Sequence, residues 1–178
     1  MKAFSLIFIL LFSGLLFAQG ANPEYDSAEE SSSDAEDNLP PVKIEEVSDF
    51  TQLLAQARRD KKVILLEMSA TDCGYCRMLE AEIIKPMLRS GDYDDMVLIR
   101  RMHIDSYGPI KDMDGNKTTA ADMARKLNIF VTPTLLFLDG DGREVSKRIL
   151  GVNTLEFFGG YVDQALEEGL QTLNKHLR

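Results

Sequence analysis

Apolar positions along this chain fall into runs of two periods, separated by polar stretches. Val63–Met68 is apolar without a break except at Glu67, which predicts a central strand buried on both faces. Met96–Ile104 is a second strand candidate, and Val42–Val47 is short and β-like. Thr134–Leu138 and Glu144–Leu150 flank Asp139-Gly140-Asp141-Gly142, a hairpin signal. Between the strands the period becomes helical. Phe50, Leu53, Leu54 and Ala57 share one face of a helix over Asp49–Arg59, with Ser48 as its cap. A helix from Gly74 to Ile84 is expected to be disrupted by Pro86, which lacks a donor and restricts Lys85 before it. Asp105–Thr118 reads as a long loop, and Thr119 with Asp122 starts a helix through Leu127. Asn153 and Glu156 form a capping box for a last helix carrying Leu155, Phe158, Val162, Leu166, Leu170 and Leu173 on one face. The order β-α-β-α-β-α-β-β-α predicts an α/β fold with a central mixed sheet and helices on both faces.

The N-terminus follows neither pattern. Lys2 precedes an apolar run from Ala3 to Phe17, and small residues follow at Ala18 and Gly20. This predicts a secretory signal peptide over residues 1–20, cut after Ala18 or Gly20, because the run is shorter than the ~20 residues a membrane span needs. Residues 21–41 read as an acidic, disordered linker: Asn22–Pro41 holds seven acidic residues, three prolines and no Lys or Arg. The formal charge of −9 therefore misleads, since −7 belongs to this linker and the part from Val42 onward carries −3. That near-balance gives no hint of nucleic-acid binding, and no nucleic-acid partner is expected. Residues 42–178 suit one domain with one core, expected to be a monomer.

The chemistry centres on the chain's two cysteines, in Thr71-Asp72-Cys73-Gly74-Tyr75-Cys76-Arg77, just after the apolar strand. A Cys-x-x-Cys pair that opens a helix sets its first sulfur beside unpaired N–H groups and the positive end of the helix dipole. Both favour the thiolate, the attacking species in disulfide exchange, and the second cysteine lies one turn on, placed to resolve the mixed disulfide. The blander readings are a static loop disulfide or half of a zinc site. His103 and His176 are too few and too scattered for zinc, and Asp112-x-Asp114-Gly115 puts its glycine too early for a calcium loop. No metal and no cofactor is expected. Glu67 is costly to bury ionised. It is read either as a proton relay for Cys76 or as a structural residue, solvent-facing or paired with Arg101 on the next strand.

Over Val42–Lys175 the chain resembles the thioredoxin superfamily. Cys73-Gly74-Tyr75-Cys76 sits at the family's redox motif, and Val131-Thr132-Pro133-Thr134 is similar to its cis-proline loop. Glu67, six residues before Cys73, falls where thioredoxins bury an acid, and Gly151 follows the last strand as a family glycine does. Asp112-Met113-Asp114-Gly115 and Ala124-Arg125-Lys126-Leu127 add a likeness to exported, periplasmic thioredoxins, including the one encoded with sulfur-oxidation genes. The resemblance implies a thioredoxin fold and an exported thiol–disulfide oxidoreductase that reduces, isomerises or oxidises protein disulfides. Cys73, Cys76 and Glu67 would be catalytic, and Thr132, Pro133, Gly74 and Tyr75 would face the substrate. A membrane electron donor would recycle the protein. Departures are Asp72 in place of an aromatic residue, Tyr75 in place of a proline, the displaced Pro86 and the absence of tryptophan. A copper(I) chaperone and a redox-inactive interaction module are the readings from other classes.

Overall fold

A computed structural model describes residues 41–176. The expected signal peptide and nearly all of the expected linker lie outside the described residues.

The described residues form seven strands and five α-helices. The central sheet runs in the order β1 (Glu45–Glu46), β3 (Val97–His103), β2 (Val63–Ser69), β6 (Thr134–Leu138), β7 (Ile149–Leu150). β1 and β2 pair with β3 in parallel, and β6 pairs antiparallel with both β2 and β7. This is the expected mixed sheet, the thioredoxin fold.

The continuous apolar character of β2 follows from its place in the middle. Its even residues Ile64, Leu66 and Met68 enter one core with Phe50, Leu53 and Leu54 of α1 (Phe50–Asp60) and Met123 of α4 (Ala120–Lys126). Its odd residues Val63 and Leu65 enter the other, with Leu79 of α2 (Gly74–Leu79), Met87 of α3 (Lys85–Ser90) and Phe158, Val162 and Leu166 of α5 (Leu155–His176). Strand alternation puts Glu67 on this second face, beneath α2.

Several local expectations are corrected. The cap of α1 is Asp49, whose carboxylate accepts from the Gln52 N–H at 3.2 Å, and not Ser48. Pro86 does not end its helix. The chain passes through a π-helical turn (Glu80–Ile84) and continues as α3, with Lys85 N–H bonding back to the Glu80 carbonyl. A widened turn just before the proline makes room for its ring and absorbs the missing donor. The 105–118 loop contains a small two-stranded sheet, β4 (Pro109–Lys111) with β5 (Lys117–Thr119). At its tip Asp112 accepts from the N–H groups of Asp114 and Asn116, as a turn. Glu144–Leu150 is a strand only at Ile149–Leu150, with Glu144 making a single bridge to Leu138 after the turn in which the Asp139 carboxylate accepts from the N–H groups of Asp141 and Arg143. The last helix begins at Leu155, so its cap position falls at Thr154 instead of Asn153.

Gly140 is required by close approach. A Cβ there would sit 2.9 Å from the Arg58 backbone nitrogen and 3.0 Å from its Cα. The turn thus packs directly against α1.

Candidate active site

β2 ends at Ser69, and four residues later Cys73 adopts an extended conformation (φ −107°, ψ 100°) as the cap of α2. Its sulfur accepts from the Cys76 N–H at 3.1 Å, the N-cap interaction that a serine or aspartate oxygen makes elsewhere. Cys73 and Cys76 form a disulfide, with Cα atoms 5.2 Å apart. Cys73 is half-buried at the surface while Cys76 is 1% exposed. Gly74 and Tyr75 between them are exposed, and Asp72 points to solvent beside Cys73. An incoming group therefore meets the sulfur of Cys73, and only a partner already attached there is within reach of Cys76.

The turn before the motif is fastened from β3. Asp105, two residues beyond β3, accepts the Thr71 N–H with both carboxylate oxygens at 3.1 and 3.0 Å. That N–H holds the Asp105 carboxyl below the usual carboxylate range. Nothing local in the sequence marks Asp105 for this task, because its partner lies 34 residues away.

Thr134 pairs with Met68 across the antiparallel β2–β6 ladder, so the residue before it, Pro133, lies at the Ser69 end of the sheet, the end that carries Cys73. The Thr132–Pro133 bond is cis. The Pro133 carbonyl accepts from the Gly151 N–H at 2.8 Å, and the Thr134 hydroxyl donates to the Val131 carbonyl at 2.7 Å. Pro133 is itself buried and Thr132 half-buried, while Phe130 and Val131 are exposed at 84% and 46%. The outer surface of this loop is thus Phe130, Val131 and the edge of Thr132.

Glu67 is fully buried, and neither carboxylate oxygen has a hydrogen-bond partner; nor does the Ser69 hydroxyl on the same face of β2. Arg101 lies opposite Glu67 in the β2–β3 register, yet its guanidinium is taken by Glu80 at 2.6 Å and Glu46 at 2.7 Å. The anticipated Glu67–Arg101 pair is therefore not formed, and the solvent-facing alternative is excluded by burial. Burial pushes the Glu67 carboxyl up to about 8; the negative charge of Glu80 adds to the rise and Arg101 opposes it. Glu80 went unrecognised in the sequence, although its spacing of four from Cys76 puts both on one helix face. His103 Nδ1 lies 3.0 Å from Glu46. Among the described residues no group of three or more His, Cys, Asp or Glu is arranged to hold a metal ion.

The profile of the thioredoxin-like domain family matches residues 50–166. Among curated protein sequences none matches the chain. Solved structures share its fold. The thioredoxin of Malassezia sympodialis is 17% identical with a TM-score of 0.50, over 75% of this chain and 98% of its own. A poplar thioredoxin h mutant is 21% identical with a TM-score of 0.50, over 75% of this chain and 92% of its own. The fold and the Cys73–Cys76 pair together support thiol–disulfide redox chemistry.

Proposed function

The chain belongs to the thioredoxin-like domain family, and from that membership we propose that it is an exported oxidoreductase that reduces protein disulfides. The observation that carries the reading is the asymmetry of the cysteine pair: Cys73 caps α2 at the surface and Cys76 is buried one turn in. In the reduced protein the Cys73 thiolate attacks one sulfur of a substrate disulfide, and the substrate's other sulfur leaves as a thiolate. Cys76 loses its proton and attacks the Cys73 sulfur, which closes the intramolecular disulfide and expels the substrate's second thiolate. Two electrons pass to the substrate, and a membrane electron donor must return two to the protein.

The proton of Cys76 needs an acceptor in a buried place. In the fraction ionised near neutral pH, a carboxyl pushed up to about 8 is basic enough to take a thiol proton, which an ordinary carboxylate is not. Glu67 has this property, on the strand face beneath α2, and we assign it the relay. We assign Thr132, Gly74 and Tyr75 to the substrate-facing surface, where the Thr132 backbone would pair with an extended substrate and the cis Thr132–Pro133 bond sets the course of the loop.

We assign the direction from charge: Asp72 places a negative charge at the helix end beside Cys73, which Arg77 offsets only in part, and a less acidic thiol favours donating electrons over accepting them. Export is supported by the basic, apolar and small-residue succession of residues 1–20.

Dithiothreitol-driven reduction of insulin tests the activity. The wild type should accelerate precipitation of the reduced chains, and Cys73→Ser should abolish the effect. Activity at the dithiothreitol background in the wild type would contradict the proposal. N-terminal sequencing of the mature protein from an exporting host should find a start at Gln19 or Ala21, and an intact Met1 would refute export.

A further inference from the structure

Two carboxylates occupy all three nitrogens of the Arg101 guanidinium. Nη1 donates to Glu80 at 2.6 Å, while Nε and Nη2 each lie 2.7 Å from one oxygen of Glu46. The Arg101 and Glu80 side chains are 19% and 13% exposed, against 43% for Glu46. The cluster therefore has a buried arm through Glu80 and a solvent arm through Glu46, and it is net negative.

Its consequence falls on Glu67. Arg101 is the register partner of Glu67, and adjacent strands lie ~4.8 Å apart, well within the reach of an arginine side chain. A buried carboxylate beside a free guanidinium would take it as counter-ion and lose affinity for a proton. Here neither Glu67 oxygen has a partner. The backbone fixes Glu80 as well. Its N–H donates to the Cys76 carbonyl, and its own carbonyl accepts from the Lys85 N–H across the π-helical turn. Such single π turns are frequent at functional sites, and this one starts at the residue that engages Arg101.

The groups around Glu67 come from every neighbouring element. The π-helical turn gives Glu80, β3 gives Arg101, and β1 gives Glu46, with His103 Nδ1 of β3 3.0 Å from it. β2 gives the Ser69 hydroxyl and α2 gives Cys76, while β6 presents Leu135 and α5 adds Phe158 and Val162 to the same core. Burial raises the proton affinity of Glu67 most, and the charge of Glu80 raises it next. Arg101 opposes both, and Glu46 adds a smaller rise.

We propose that Glu80 is a positioning residue for the resolving step: by holding the Arg101 guanidinium it denies Glu67 a counter-ion and leaves that buried carboxyl able to take the proton of Cys76. The proposal rests on the assignment of Glu67 as the relay. The proton leaves the Cys76 sulfur for a Glu67 oxygen, the Cys76 thiolate attacks the Cys73 sulfur, and the substrate thiolate departs.

Carbon-13 NMR of the glutamate carboxyls in the oxidised protein tests it, with the Glu67 signal identified by its loss in Glu67→Gln. In Glu80→Gln the Glu67 midpoint should fall by about one to two pH units, because Arg101 then acts on Glu67 with less of its charge cancelled. Adding Arg101→Leu should return it to the wild-type value or above. Glu46→Gln, at a half-exposed side chain that folding tolerates, should lower the midpoint by a smaller step. Rapid mixing of the reduced proteins with dithiobis(nitrobenzoate) reads the Cys76 step as the second, concentration-independent release of thionitrobenzoate. A less basic Glu67 is more fully ionised at low pH but a poorer proton acceptor at high pH. Glu80→Gln should thus resolve faster than wild type near pH 6 and about two- to fivefold slower near pH 8. A purely structural defect would slow the step at both. An unchanged midpoint in both Glu80→Gln and Glu46→Gln, or a lowered one that Arg101→Leu does not restore, would overturn the role of Glu80. A shifted midpoint with an unshifted rate profile would instead refute the Glu67 relay beneath it.

Discussion

Replacing Glu67 by glutamine changes one proton-binding group in a fully buried place and little else in shape. In the unfolded chain this carboxyl titrates near 4.5, and in the folded protein near 8. Between those values the folded state holds a proton that the unfolded state has released, so stability contributed by the neutral carboxyl is complete below about pH 4.5 and lost as pH rises toward 8. At about 1.4 kcal/mol per pH unit, the gap corresponds to a loss on the order of 5 kcal/mol across that window. Glutamine stays neutral throughout and escapes the loss. Urea denaturation of the oxidised protein, wild type against Glu67→Gln, at pH 5 and pH 8.5 reads this directly. The two should be within about 1 kcal/mol of each other at pH 5, and the variant should be the more stable at pH 8.5 by several kcal/mol. Parallel pH profiles for the two proteins would refute the buried, neutral carboxyl.

The same substitution should slow insulin reduction more at pH 7 than at pH 9, where the Cys76 thiolate forms unaided; a rate profile identical to wild type would make Glu67 structural only. Arg101→Leu leaves Glu80, whose side chain is 13% exposed, without its cation, and should cost about 2–4 kcal/mol in chemical denaturation; a loss below about 0.5 kcal/mol would show that Glu80 needs no partner. Gly140→Ala should cost about 1–3 kcal/mol, since the Arg58 backbone must move, and an unchanged unfolding midpoint would contradict that contact. Equilibration with glutathione should place the Cys73–Cys76 couple nearer ~−270 mV than ~−120 mV, and a value above about −150 mV would reverse the assigned direction.

Much of the fold could be read from periodicity because burial on two faces leaves a plain mark. Val63–Met68 is apolar at odd and even positions alike, and the structure sends those two sets into two cores. The cysteine motif was legible for a related reason: its chemistry depends on neighbours close in sequence, a strand end and a helix start. What stayed hidden depends on partners far along the chain. Asp105 became visible as the anchor of Thr71 only when the ends of β2 and β3 lay side by side. Arg101 opposite Glu67 suggested a pair, but Glu46 and Glu80 reach its guanidinium instead, and sequence does not rank three carboxylates for one cation. Pro86 was misread because a π-turn accommodates a mid-helix proline without breaking the helix, and no residue type announces that turn. Small strands such as β4 and β5 have only three residues each, too few to show a period.

The central claim is that Cys73 attacks and Cys76 resolves, and trapping the covalent intermediate tests it most directly. Reduced Cys76→Ser protein mixed with a disulfide-bonded protein such as insulin should accumulate a disulfide-linked adduct, visible on a non-reducing gel and by intact mass, whose cross-link maps to Cys73. Reduced Cys73→Ser protein should give no adduct above background, because its remaining thiol at position 76 is buried. An adduct formed equally well by the Cys73→Ser protein, or by neither variant, would contradict the account.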